Sequence, residues 1–546
     1  MNSYKLTPLS KILIILVLFA LVVGGIFVLT KKGIISNDDK KVVTEDNTPS
    51  SDEAVKKDNP NSNNNQVSVD DVDEDGNVIN TTKTSSDTIN LSLDEWIGWK
   101  EIIDANGGLT TAKGSIYDKL GIKVNISIIN DATQSSNALI SGDLDAAGYT
   151  INRTAFLSQK FEDANFDFIM PYITNFSNGG DGIIAKSSIN SVNDLVGAKI
   201  GVPQFSEAHT LVLWFVNQSD LTDEEKKQII DNLIFFATPD EAAKAFFAGQ
   251  IDAAATWEPY LTQAQNMSDA HIFFSTKVSS SLVMDGIVFN NEFCKNNEDT
   301  VSKFIDGALQ AGELYETDME TIKTVMPMFA TASDQDILDN CAGAKLTTYA
   351  DVIKLFDGTA KTIYTDMCEA WKSIGEAADE TLVDKIFDKT YIEALAEKYT
   401  TSKVTKTDAK VDTTTMKEED IEDAQELLKK STTVTFIINT AKFDDAADAA
   451  AKLDEFIKVA KTLDGAIIEI AGNTDPNPTT DPDDSLNKKL SESRAETVKQ
   501  YFILNGIDPN RIVTVGNGSS NPMYDNDTEE HKALNRRTDV SFKIVE

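Results

Sequence analysis

The chain has 546 residues, with 88 Asp and Glu against 50 Lys and Arg, so its formal net charge is −38. This charge argues against a nucleic-acid partner, because binding to phosphate requires a basic surface. The length predicts two to four domains, since a domain usually has about 100 to 200 residues. With only three cysteines and three histidines, a disulfide-dense scaffold and a His-rich metal site are both disfavoured.

An uncharged apolar segment, ILIILVLFALVVGGIFVL, lies at residues 12–29. As a helix, its 18 residues would extend about 27 Å, close to the thickness of the hydrocarbon core of a bilayer. A cleaved signal peptide has a shorter apolar region of about 7 to 15 residues, and the first cysteine, Cys294, comes too late for a lipoprotein anchor. We therefore predict an uncleaved transmembrane signal anchor at residues 12–30, preceded by a cytoplasmic N-terminus at residues 1–11. The flanking lysines are balanced and do not set the orientation.

Residues 31–88 are rich in Asn, Asp, Ser and Thr and contain few large apolar side chains. Such a composition buries too little apolar surface to offset the entropy lost on ordering, so we predict an acidic disordered linker. Within it, DVDEDGNVINTT at residues 71–82 has acidic residues at the spacing of a calcium loop. Thr82 stands where such a loop needs a bidentate Glu, which favours a solvated charge run over a metal site.

Short apolar runs alternate with helical patterns from residue 89 to about residue 400. One set contains TINLSL, IKVNISII and DAAGYT, and a second contains AKIGVP, LIFFA and IDAAATW, followed by MDGIVFN and a long helical stretch. Alternation of this kind predicts parallel strands with crossover helices. We therefore expect an α/β fold at residues 89–400, with two lobes joined by crossing strands and a ligand-binding cleft between them.

Four segments of this region share features with a known family. They are GDLDAAGYT at residues 142–150, GAKIGVPQFSEAHTLVLWF at 197–215, PDEAAKAFFAGQIDAAATWEPYLTQA at 239–264 and DGIVFNNEFCKNN at 285–297. These segments resemble the periplasmic-type binding proteins of the nitrate, sulfonate and thiamine-precursor group, which have the two-lobed type 2 fold. The resemblance implies a receptor that closes on a small-molecule solute and presents it to an ABC-type permease.

Eight residues at or near the predicted strand ends are candidate solute contacts: Trp96, Trp99, Thr150, Arg153, Ser206, His209, Trp257 and Glu258. The loop before the second-lobe helix offers free N–H groups and the positive end of a helix dipole, which suit an anionic group. Ser206 either contacts the solute or only caps this helix, and His209 lies on its first turn with or without touching solute. Trp257 either stacks on the solute or covers the hinge.

The remaining candidates also have two interpretations each. Trp96 and Trp99 follow the first strand, and one of them is open to being a core residue. Arg153 is suited to an acidic ligand group or is a surface residue. Asp181 and Asp285 lie in the crossing strands, where we expect them to orient backbone rather than to bind.

The cleft departs from the family pattern at residues 206–209. Their sequence, SEAH, lacks the run of small residues that would accept a compact oxyanion. This departure disfavours nitrate, sulfonate or phosphate as the solute. A cationic or heteroaromatic metabolite is compatible with Glu207, Glu258 and the tryptophans.

The last part of the chain reads as a separate domain. Residues 401–431 are polar, and we predict a linker that includes a short amphipathic helix at residues 418–428. Residues 432–546 contain the strand-like runs VTFII, AIIEIAG, RIVTVG and DVSFKIV, with helical patterns after the first two. This order predicts an α+β domain of the type βαβαββ.

Several separated motifs of this domain occur in a set order: IEIAGNTD at residues 468–475, LNKKLSESRAETVKQYF at 486–502, NGIDPNRIVTVGNG at 505–518 and LNRRTDVSF at 534–542. They resemble the OmpA-like peptidoglycan-binding domain. By this resemblance Asp475 holds the ammonium of the diamino acid in the peptide stem and Arg494 holds its carboxylate, a pairing that suits a zwitterion. Asn487 matches the helix entering the site. Arg536 and Arg537 match the final motif, either as ligand contacts or as ion-pairing residues within the domain.

The loop PNPTTDPDDS at residues 476–485 is longer and more acidic than is usual in that family. Its carboxylates would change the affinity for a zwitterion without abolishing it. An alternative is a cation site formed by Asp475, Asn477 and Asp481, although the later Gly and Glu of a calcium loop are missing.

Peptidoglycan lies outside the cytoplasmic membrane, so the C-terminal resemblance orients the anchor with its N-terminus inside. We predict a single-pass protein of the cytoplasmic membrane, with the bulk of the chain extracytoplasmic and wall-associated, that binds a solute for an ABC-type uptake system. The alternative is a ligand sensor or a structural link between membrane and wall without a transport role.

We predict no cofactor, no metal and no catalysis. A reaction at the cleft would need a histidine or cysteine delivered into it. Only His209 lies near it, and Cys294, Cys341 and Cys368 fall outside the predicted cleft strands. The spacing of Cys341 and Cys368 leaves their pairing open.

Overall fold

Three β-sheets organise the part of the chain that the structure describes. The structure is a computed structural model, and it describes residues 86–313, 318–399, 411–434, 436–437, 439–476, 481 and 483–545. Within these residues no helix is long and apolar enough to span a bilayer. The predicted anchor at residues 12–30 and the linker up to residue 85 lie outside the described residues.

The strands of the described residues follow one another along the chain as β1 (Thr88–Leu93), β2 (Lys123–Ile128), β3 (Ala146–Thr150), β4 (Phe168–Ser177), β5 (Asp181–Lys186), β6 (Ile200–Pro203), β7 (Leu233–Phe236), β8 (Ala253–Trp257), β9 (Ala270–Ser275), β10 (Met284–Asn290), β11 (Ala344–Leu346), β12 (Gln425–Thr432), β13 (Ile467–Asn473), β14 (Ile512–Gly518) and β15 (Thr538–Ile544).

The α-helices of the two lobes are α1 (Lys100–Asn106), α2 (Ile116–Leu120), α3 (Ala132–Ser141), α4 (Ile151–Asp163), α5 (Glu207–Gln218), α6 (Asp223–Asp231), α7 (Pro239–Phe247), α8 (Tyr260–Gln265), α9 (Asn291–Asn296), α10 (Glu298–Gly312), α11 (Met319–Val325), α12 (Asp334–Ala342), α13 (Tyr349–Lys354), α14 (Ala360–Ser373), α15 (Val383–Ile386), α16 (Thr390–Glu393) and α17 (Ala396–Tyr399). The last part of the chain adds α18 (Glu418–Glu422), α19 (Ala446–Thr462), α20 (Ser485–Leu504) and α21 (Glu529–Asn535).

The predicted α/β class is confirmed, and two of the sheets form the two lobes. The lobe-one sheet has the order β11-β4-β10-β3-β1-β2, and the lobe-two sheet has the order β7-β6-β8-β5-β9. In lobe one β1 pairs in parallel with β2 and β3, and in lobe two β6 pairs in parallel with β7 and β8. Helices that follow parallel strands bring their N-termini to the carboxyl edge of each sheet, where ligands bind in folds of this kind.

Two chain segments cross between the lobes. Residues 178–180 connect β4 to β5, and residues 276–283 connect β9 back to β10; we call them the first and second hinge segments. Helix α14 also joins the lobes, because Trp371 Nε1 donates to the backbone oxygen of Asn152 in lobe one (3.0 Å), and Asp366 accepts from Trp214 Nε1 in lobe two (3.3 Å).

The third sheet, with the order β12-β15-β13-β14, belongs to the C-terminal domain. Helix α20 packs closely on β13 and β14 because both strands carry glycine at the contact. A Cβ atom on Gly472 would lie 2.2 Å from the backbone oxygen of Ser491, and one on Gly516 would lie 2.6 Å from that of Lys488. The helix carrying Asn487 and Arg494 is thereby held against the strand that leads to Asp475.

The first strand of this domain differs from the prediction. The expected helix at residues 418–428 ends at Glu422, and residues 425–432 form β12, which pairs antiparallel with β15. The expected strand VTFII is not a strand in the described residues of that segment. A register shift between Glu426 and Leu428 allows Leu427 and Leu428 both to be buried. Such a bulge breaks the alternation by which a strand is recognised in a sequence.

Candidate functional site

The cleft between the lobes is lined by residues that follow strand ends. Asp94 comes directly after β1, Thr150 ends β3, and Asp285 pairs across the sheet with Thr150. In lobe two, Asp181 begins β5 and pairs with Trp257, which ends β8. The carboxyl edges of the two sheets therefore bring polar side chains from both lobes to one place.

The two tryptophans after β1 have different roles. Trp99 is a core residue, 1% exposed, and its Nε1 donates to Asp94 Oδ1 at 2.6 Å. Trp96 is only partly buried, and its Nε1 donates to Asn175 Oδ1 at 3.1 Å. Trp99 thus fixes Asp94 from behind, whereas the Trp96 indole lies beside the first hinge segment at Gly180.

An ion pair crosses the cleft. Arg153, in the first turn of α4, donates through Nη2 to Oε2 of Glu207, the first residue of α5, at 3.0 Å. About 18% of the Arg153 side chain and 17% of the Glu207 side chain remain exposed. Nearby, Asn152 Nδ2 donates to Thr210 Oγ1 at 2.8 Å. These contacts hold the first turns of two helices, one from each lobe, against each other.

Three further carboxyl groups lie near this ion pair, and we call Asp94, Asp181, Asp285 and the paired Glu207 the acidic cluster. Burial raises the pKa of Asp285 well above its ordinary value, and the charges of the other three carboxylates raise it further. Burial and the charge of Glu207 raise the pKa of Asp181 to about 7. Burial also raises the pKa of Asp94, against the hydrogen bond from Trp99 and the charge of Arg153. All three of these carboxyl groups thus interact electrostatically with Glu207, and Asp285 also interacts with Asp94 and Asp181.

The sequence does not identify three members of this cluster as ligand contacts. It predicts that Asp181 and Asp285 orient backbone, and it gives no role to Asp94. Their position in the chain is the signal that could identify them as cleft residues, because each of the three lies at or next to an end of a strand that borders the cleft.

Several predicted residues support the cleft walls. Thr150 caps α4 by accepting from Arg153 N (2.9 Å), and Ser206 caps α5 by accepting from His209 N (3.2 Å). Trp257 donates to Asp240 Oδ1 at 3.3 Å, and Glu258 accepts from Thr262 N at 3.1 Å.

His209 is fully buried among aromatic rings. Its ring lies 5.4 Å from that of Trp371 and 5.5 Å from that of Phe235, and its Nδ1 faces Phe205 N at 3.4 Å. Burial lowers its pKa to about 4, so this histidine is neutral at physiological pH.

The side chains of Cys294 and Cys368 do not have the character of nucleophiles. Both are buried, and burial raises the pKa of Cys368 to about 12 and that of Cys294 well above its usual value. A reactive cysteine has the opposite shift. Among the described residues, no group of three or more His, Cys, Asp or Glu side chains is arranged to hold a metal ion.

The C-terminal domain presents a second polar site. Asp475 Oδ2 lies 3.3 Å from Arg536 Nη1, and 28% and 39% of these side chains are exposed. Arg494 donates to the Thr440 backbone oxygen at 3.2 Å, and its guanidinium lies 4.8 Å from the centre of the Phe436 ring. Burial and the charge of Arg536 lower the pKa of Arg494, and the charge of Asp475 opposes this shift. One carboxylate and two guanidinium groups therefore share one surface.

The two arginines of the final motif, Arg536 and Arg537, have different partners. Arg537 is buried and donates to both carboxylate oxygens of Asp539 at 2.8 and 2.9 Å and to the Asn521 backbone oxygen at 3.1 Å. All three contacts lie within the domain, so the structure does not favour Arg537 as a ligand contact. Its neighbour Arg536 instead faces Asp475.

The acidic loop has an internal role where it is described. Asp481 accepts from the backbone N–H groups of Leu486 (3.1 Å) and Asn487 (2.8 Å) at the start of α20. Asn487 Nδ2 in turn donates to the Asp475 backbone oxygen at 3.3 Å. Asn477, part of the alternative cation site, lies outside the described residues.

Two family models match the chain. Residues 109–316 match the NMT1/THI5 like family, and residues 435–536 match the OmpA family. The chain thus carries an NMT1/THI5-like substrate-binding domain followed by an OmpA domain, and both resemblances are confirmed.

Curated relatives match through the C-terminal domain. Outer membrane protein A of Bordetella avium is 44% identical over 90 residues, which are 16% of this chain and 44% of the relative. Peptidoglycan-binding protein ArfA of Mycobacterium bovis is 36% identical over 80 residues, 15% of this chain and 23% of the relative. The chain spans half or less of the length of the first curated relatives it matches.

Among solved structures, the aliphatic sulphonate binding protein SsuA of Escherichia coli aligns with a TM-score of 0.40 and 16% identity, covering 56% of this chain and 99% of that one. The nitrate-binding protein NrtA of Synechocystis PCC 6803 aligns with a TM-score of 0.43 and 12% identity, covering 57% of this chain and 89% of that one.

Proposed function

We propose that this chain is an extracytoplasmic solute-binding protein that takes a positively charged organic solute and is held at the cell wall by its C-terminal domain. The observation that carries the choice of solute is the acidic cluster, in which Asp94, Asp181 and Asp285, drawn from both lobes, all interact electrostatically with Glu207, the ion-pair partner of Arg153. An anionic solute would add to this repulsion, whereas a cation would relieve it.

Protonation lowers the negative charge of the acidic cluster. The pKa of Asp181, about 7, means that this carboxyl is partly protonated near neutral pH, and burial shifts the pKa of Asp285 in the same direction. A bound ammonium or similar group would favour their ionised form and release those protons. The Trp96 indole adds an aromatic surface on which a cationic or heteroaromatic group can stack.

An organic cation fits better than a metal ion. The described residues contain no cluster arranged for a metal, and Glu207 of the acidic cluster is already paired with the Arg153 guanidinium. A solute with a cationic end near Asp285 and a polar or anionic end near Arg153 would be complementary to both.

The same reasoning supports peptidoglycan as the partner of the C-terminal domain. A diamino acid of the peptide stem presents an ammonium and a carboxylate. Asp475 supplies the anion, and Arg494 and Arg536 supply donors on the same surface. ArfA, a relative over this domain, is named a peptidoglycan-binding protein.

We further propose that the apolar segment at residues 12–29 anchors the protein in the cytoplasmic membrane and that an ABC-type permease receives the solute. A membrane anchor and a wall domain on one chain would hold the receptor near its permease at high effective concentration.

The solute class is tested by thermal unfolding of the full chain, purified in detergent, with matched concentrations of cations (spermidine, choline, thiamine), anions (nitrate, methanesulfonate) and a neutral sugar (ribose). A ligand that binds the folded state raises the melting temperature, by an amount equivalent to about 2.7 kcal/mol at 100 times its Kd. We expect stabilisation by at least one cation and by no anion.

The matched variants are Asp285→Asn, which removes a cluster charge, and Asp163→Asn, an exposed carboxyl outside the cleft. The stabilisation should be lost in the first and kept in the second. Stabilisation by an anion, or an unchanged cation effect in Asp285→Asn, would contradict the proposed class. No response to any solute would favour the structural link between membrane and wall.

The wall assignment is tested by co-sedimentation of the full chain with purified sacculi. Asp475→Ala and Arg494→Ala should each reduce the bound fraction at least tenfold. Unchanged binding in both would contradict the assignment.

A further inference from the structure

The C-terminal domain makes a continuous set of hydrogen bonds with the second hinge segment, residues 276–283. Ser279 Oγ donates to the Thr462 backbone oxygen at 2.7 Å, and Gly465 N donates to the Val278 backbone oxygen at 2.9 Å. Ser280 donates to Asp464 twice, through its backbone N–H at 2.9 Å and through its hydroxyl. Thr462 is the last residue of α19, and Asp464 and Gly465 lie between this helix and β13; we call residues 462–466 the bracing turn.

A second set of contacts reaches the helix that joins the lobes. Lys458, in the last turns of α19, forms an ion pair with Asp366 of α14. Asp366 is almost completely buried and also accepts from Trp214 Nε1 of lobe two at 3.3 Å. Burying a charge is costly unless it is paired, so the Lys458–Asp366 contact is sensitive to the relative position of α14 and α19.

A third set fixes the C-terminal domain to lobe two alone. Gln425 Nε2 donates to the backbone oxygens of Asn190 (3.0 Å) and Phe273 (3.3 Å). Ser431 N donates to the carboxylate of Asp220. The domain therefore sits on lobe two, on a segment that must move when the lobes rotate, and on a helix that contacts both lobes.

The lobes are in contact in this arrangement, as the Arg153–Glu207 pair at 3.0 Å shows. We propose that the docked C-terminal domain braces the hinge: the bracing turn and Lys458 hold the second hinge segment and α14 where the two lobes meet. Rotation of lobe one away from lobe two changes the backbone of residues 276–283. The hydrogen bonds to Thr462, Asp464 and Gly465 therefore form when the lobes are in contact and break when lobe one rotates away.

The brace connects the hinge of the solute-binding lobes with the proposed peptidoglycan site at Asp475. It therefore goes beyond solute binding and wall binding as two separate proposed activities. Strand β13 begins at Ile467, directly after the bracing turn, and ends two residues before Asp475. The seven residues of β13 span about 23 Å. This one strand therefore connects the bracing turn at the hinge with the proposed peptidoglycan site at Asp475, which we call the wall site. Because coupling between sites is reciprocal, whatever opens the lobes weakens docking, and undocking favours open lobes.

The test uses the full chain in detergent with two readouts. The double variant Asp464→Ala/Lys458→Met removes both side-chain anchors, and Asp454→Ala is the matched control, because Asp454 accepts a hydrogen bond from Tyr501 within the same domain. Amide hydrogen exchange of residues 278–281 reports docking. Spin labels at Lys119→Cys in lobe one and Lys244→Cys in lobe two, in a Cys341→Ser background, report the distance between the lobes by pulsed electron resonance.

We expect the double variant to exchange residues 278–281 at least tenfold faster and to at least double the population with long lobe-to-lobe distances, while Asp454→Ala changes neither. Faster exchange with an unchanged distance distribution would show that docking does not brace the lobes. Unchanged exchange would show that these anchors do not hold the domain on the hinge. Either result overturns the proposal, and neither depends on the identity of the solute. Ser280→Ala provides an independent variant, expected to shift both readouts in the same direction.

Discussion

Asp181 shows how burial in the cleft changes the ionisation of a single carboxyl group. It is 6% exposed, begins the strand that leaves the hinge, and lies near Glu207. Burial and that neighbouring charge make its ionised form costly, so its pKa is about 7 in the folded chain against an ordinary value of 3.8. A residue that is costly to ionise without a ligand is suited to a site that a cation completes.

Asp181 also makes stability depend on pH. Between pH 4 and 7 the folded chain keeps a proton on Asp181 that the unfolded chain loses, so this carboxyl contributes less stability as the pH rises through that window. In Asp181→Asn the side chain stays neutral. The melting temperature of the variant minus that of the wild type should therefore increase from pH 4.5 to pH 7 and level off above it.

Thermal unfolding of the full chain at half-unit steps of pH measures this difference. Asp163→Asn, at an exposed position, is the control and should show a flat difference. A difference for Asp181→Asn that is independent of pH would mean that the carboxyl ionises in the folded chain as it does in the unfolded chain.

Arg536 and Arg537 are neighbours with opposite expected effects. Arg537→Ala removes both guanidinium hydrogen bonds from the buried Asp539, which then keeps, among the described residues, only the Asn473 amide at 3.1 Å and Lys429 Nζ at 3.7 Å. Breaking a buried ion pair typically costs about 3–5 kcal/mol of stability. Arg536→Ala removes a half-exposed group whose ion pair with Asp475 contributes at most about 1 kcal/mol. Arg536→Ala should therefore reduce binding to sacculi with little change in melting temperature, whereas Arg537→Ala should lower the melting temperature strongly.

Co-sedimentation and thermal unfolding on the same preparations separate the two effects. Lys489→Ala, at an exposed position of α20, is expected to leave both measurements unchanged. If Arg537→Ala were as stable as the wild type but failed to bind sacculi, the roles given to the two arginines would have to be exchanged.

At the scale of elements, the sequence predicted where the cleft lies better than what it contains. Strand ends are marked by local patterns, so Trp96, Arg153 and Ser206 could be assigned to the cleft edge. The Arg153–Glu207 pair joins residues 54 positions apart on different lobes, and no local pattern reports such a contact. The burial that raises the pKa of Asp285 is likewise a property of the assembled lobes.

Strand β12 illustrates a second limit of local patterns. A bulge in its sequence QELLKKST places two adjacent leucines in the core. Two adjacent apolar residues are also typical of an amphipathic helix, so the sequence pattern favours a helix. Only the pairing with β15, the last strand of the domain, shows that Leu427 and Leu428 belong to a strand rather than to a helix. Motifs that depend on order alone, such as those around Asp475 and Arg494, were recognised without this information.

Close approach of α20 to β13 sets the geometry of the wall site. An alanine at Gly472 would bring its Cβ atom to 2.2 Å from the Ser491 backbone oxygen, so the helix must move away from the strand. Since Arg494 is on the helix and Asp475 follows the strand, Gly472→Ala should lower both the melting temperature and the affinity for sacculi. Ser493→Ala, on the exposed face of α20, should change neither. Wild-type behaviour of Gly472→Ala would mean that helix and strand can separate without affecting the site.

At the scale of the whole molecule, the net charge of −38 has no single cause. Part of it lies in the linkers and in the loop after Asp475, and part lies in the cleft as the acidic cluster. The order of the NMT1/THI5-like and OmpA domains, and the prediction of an anchor before them, rest on composition and motifs, which are local in the chain. The contact of the bracing turn with the second hinge segment could not be predicted, because it joins residues 183 and 184 positions apart through hydrogen bonds between side chains and backbone.

The proposed architecture has two independent attachments, and they can be separated. In cell fractionation, the wild-type chain should remain with the sacculi after detergent has dissolved the membrane, because the wall domain still binds. Asp475→Ala/Arg536→Ala should remain with intact membranes but pass into the detergent extract, since only the segment at residues 12–29 would hold it. Lys489→Ala controls for a general loss of charge on that domain. Release of the double variant before detergent is added would show that residues 12–29 do not anchor the chain, and retention with sacculi after detergent would show that the wall contact lies elsewhere.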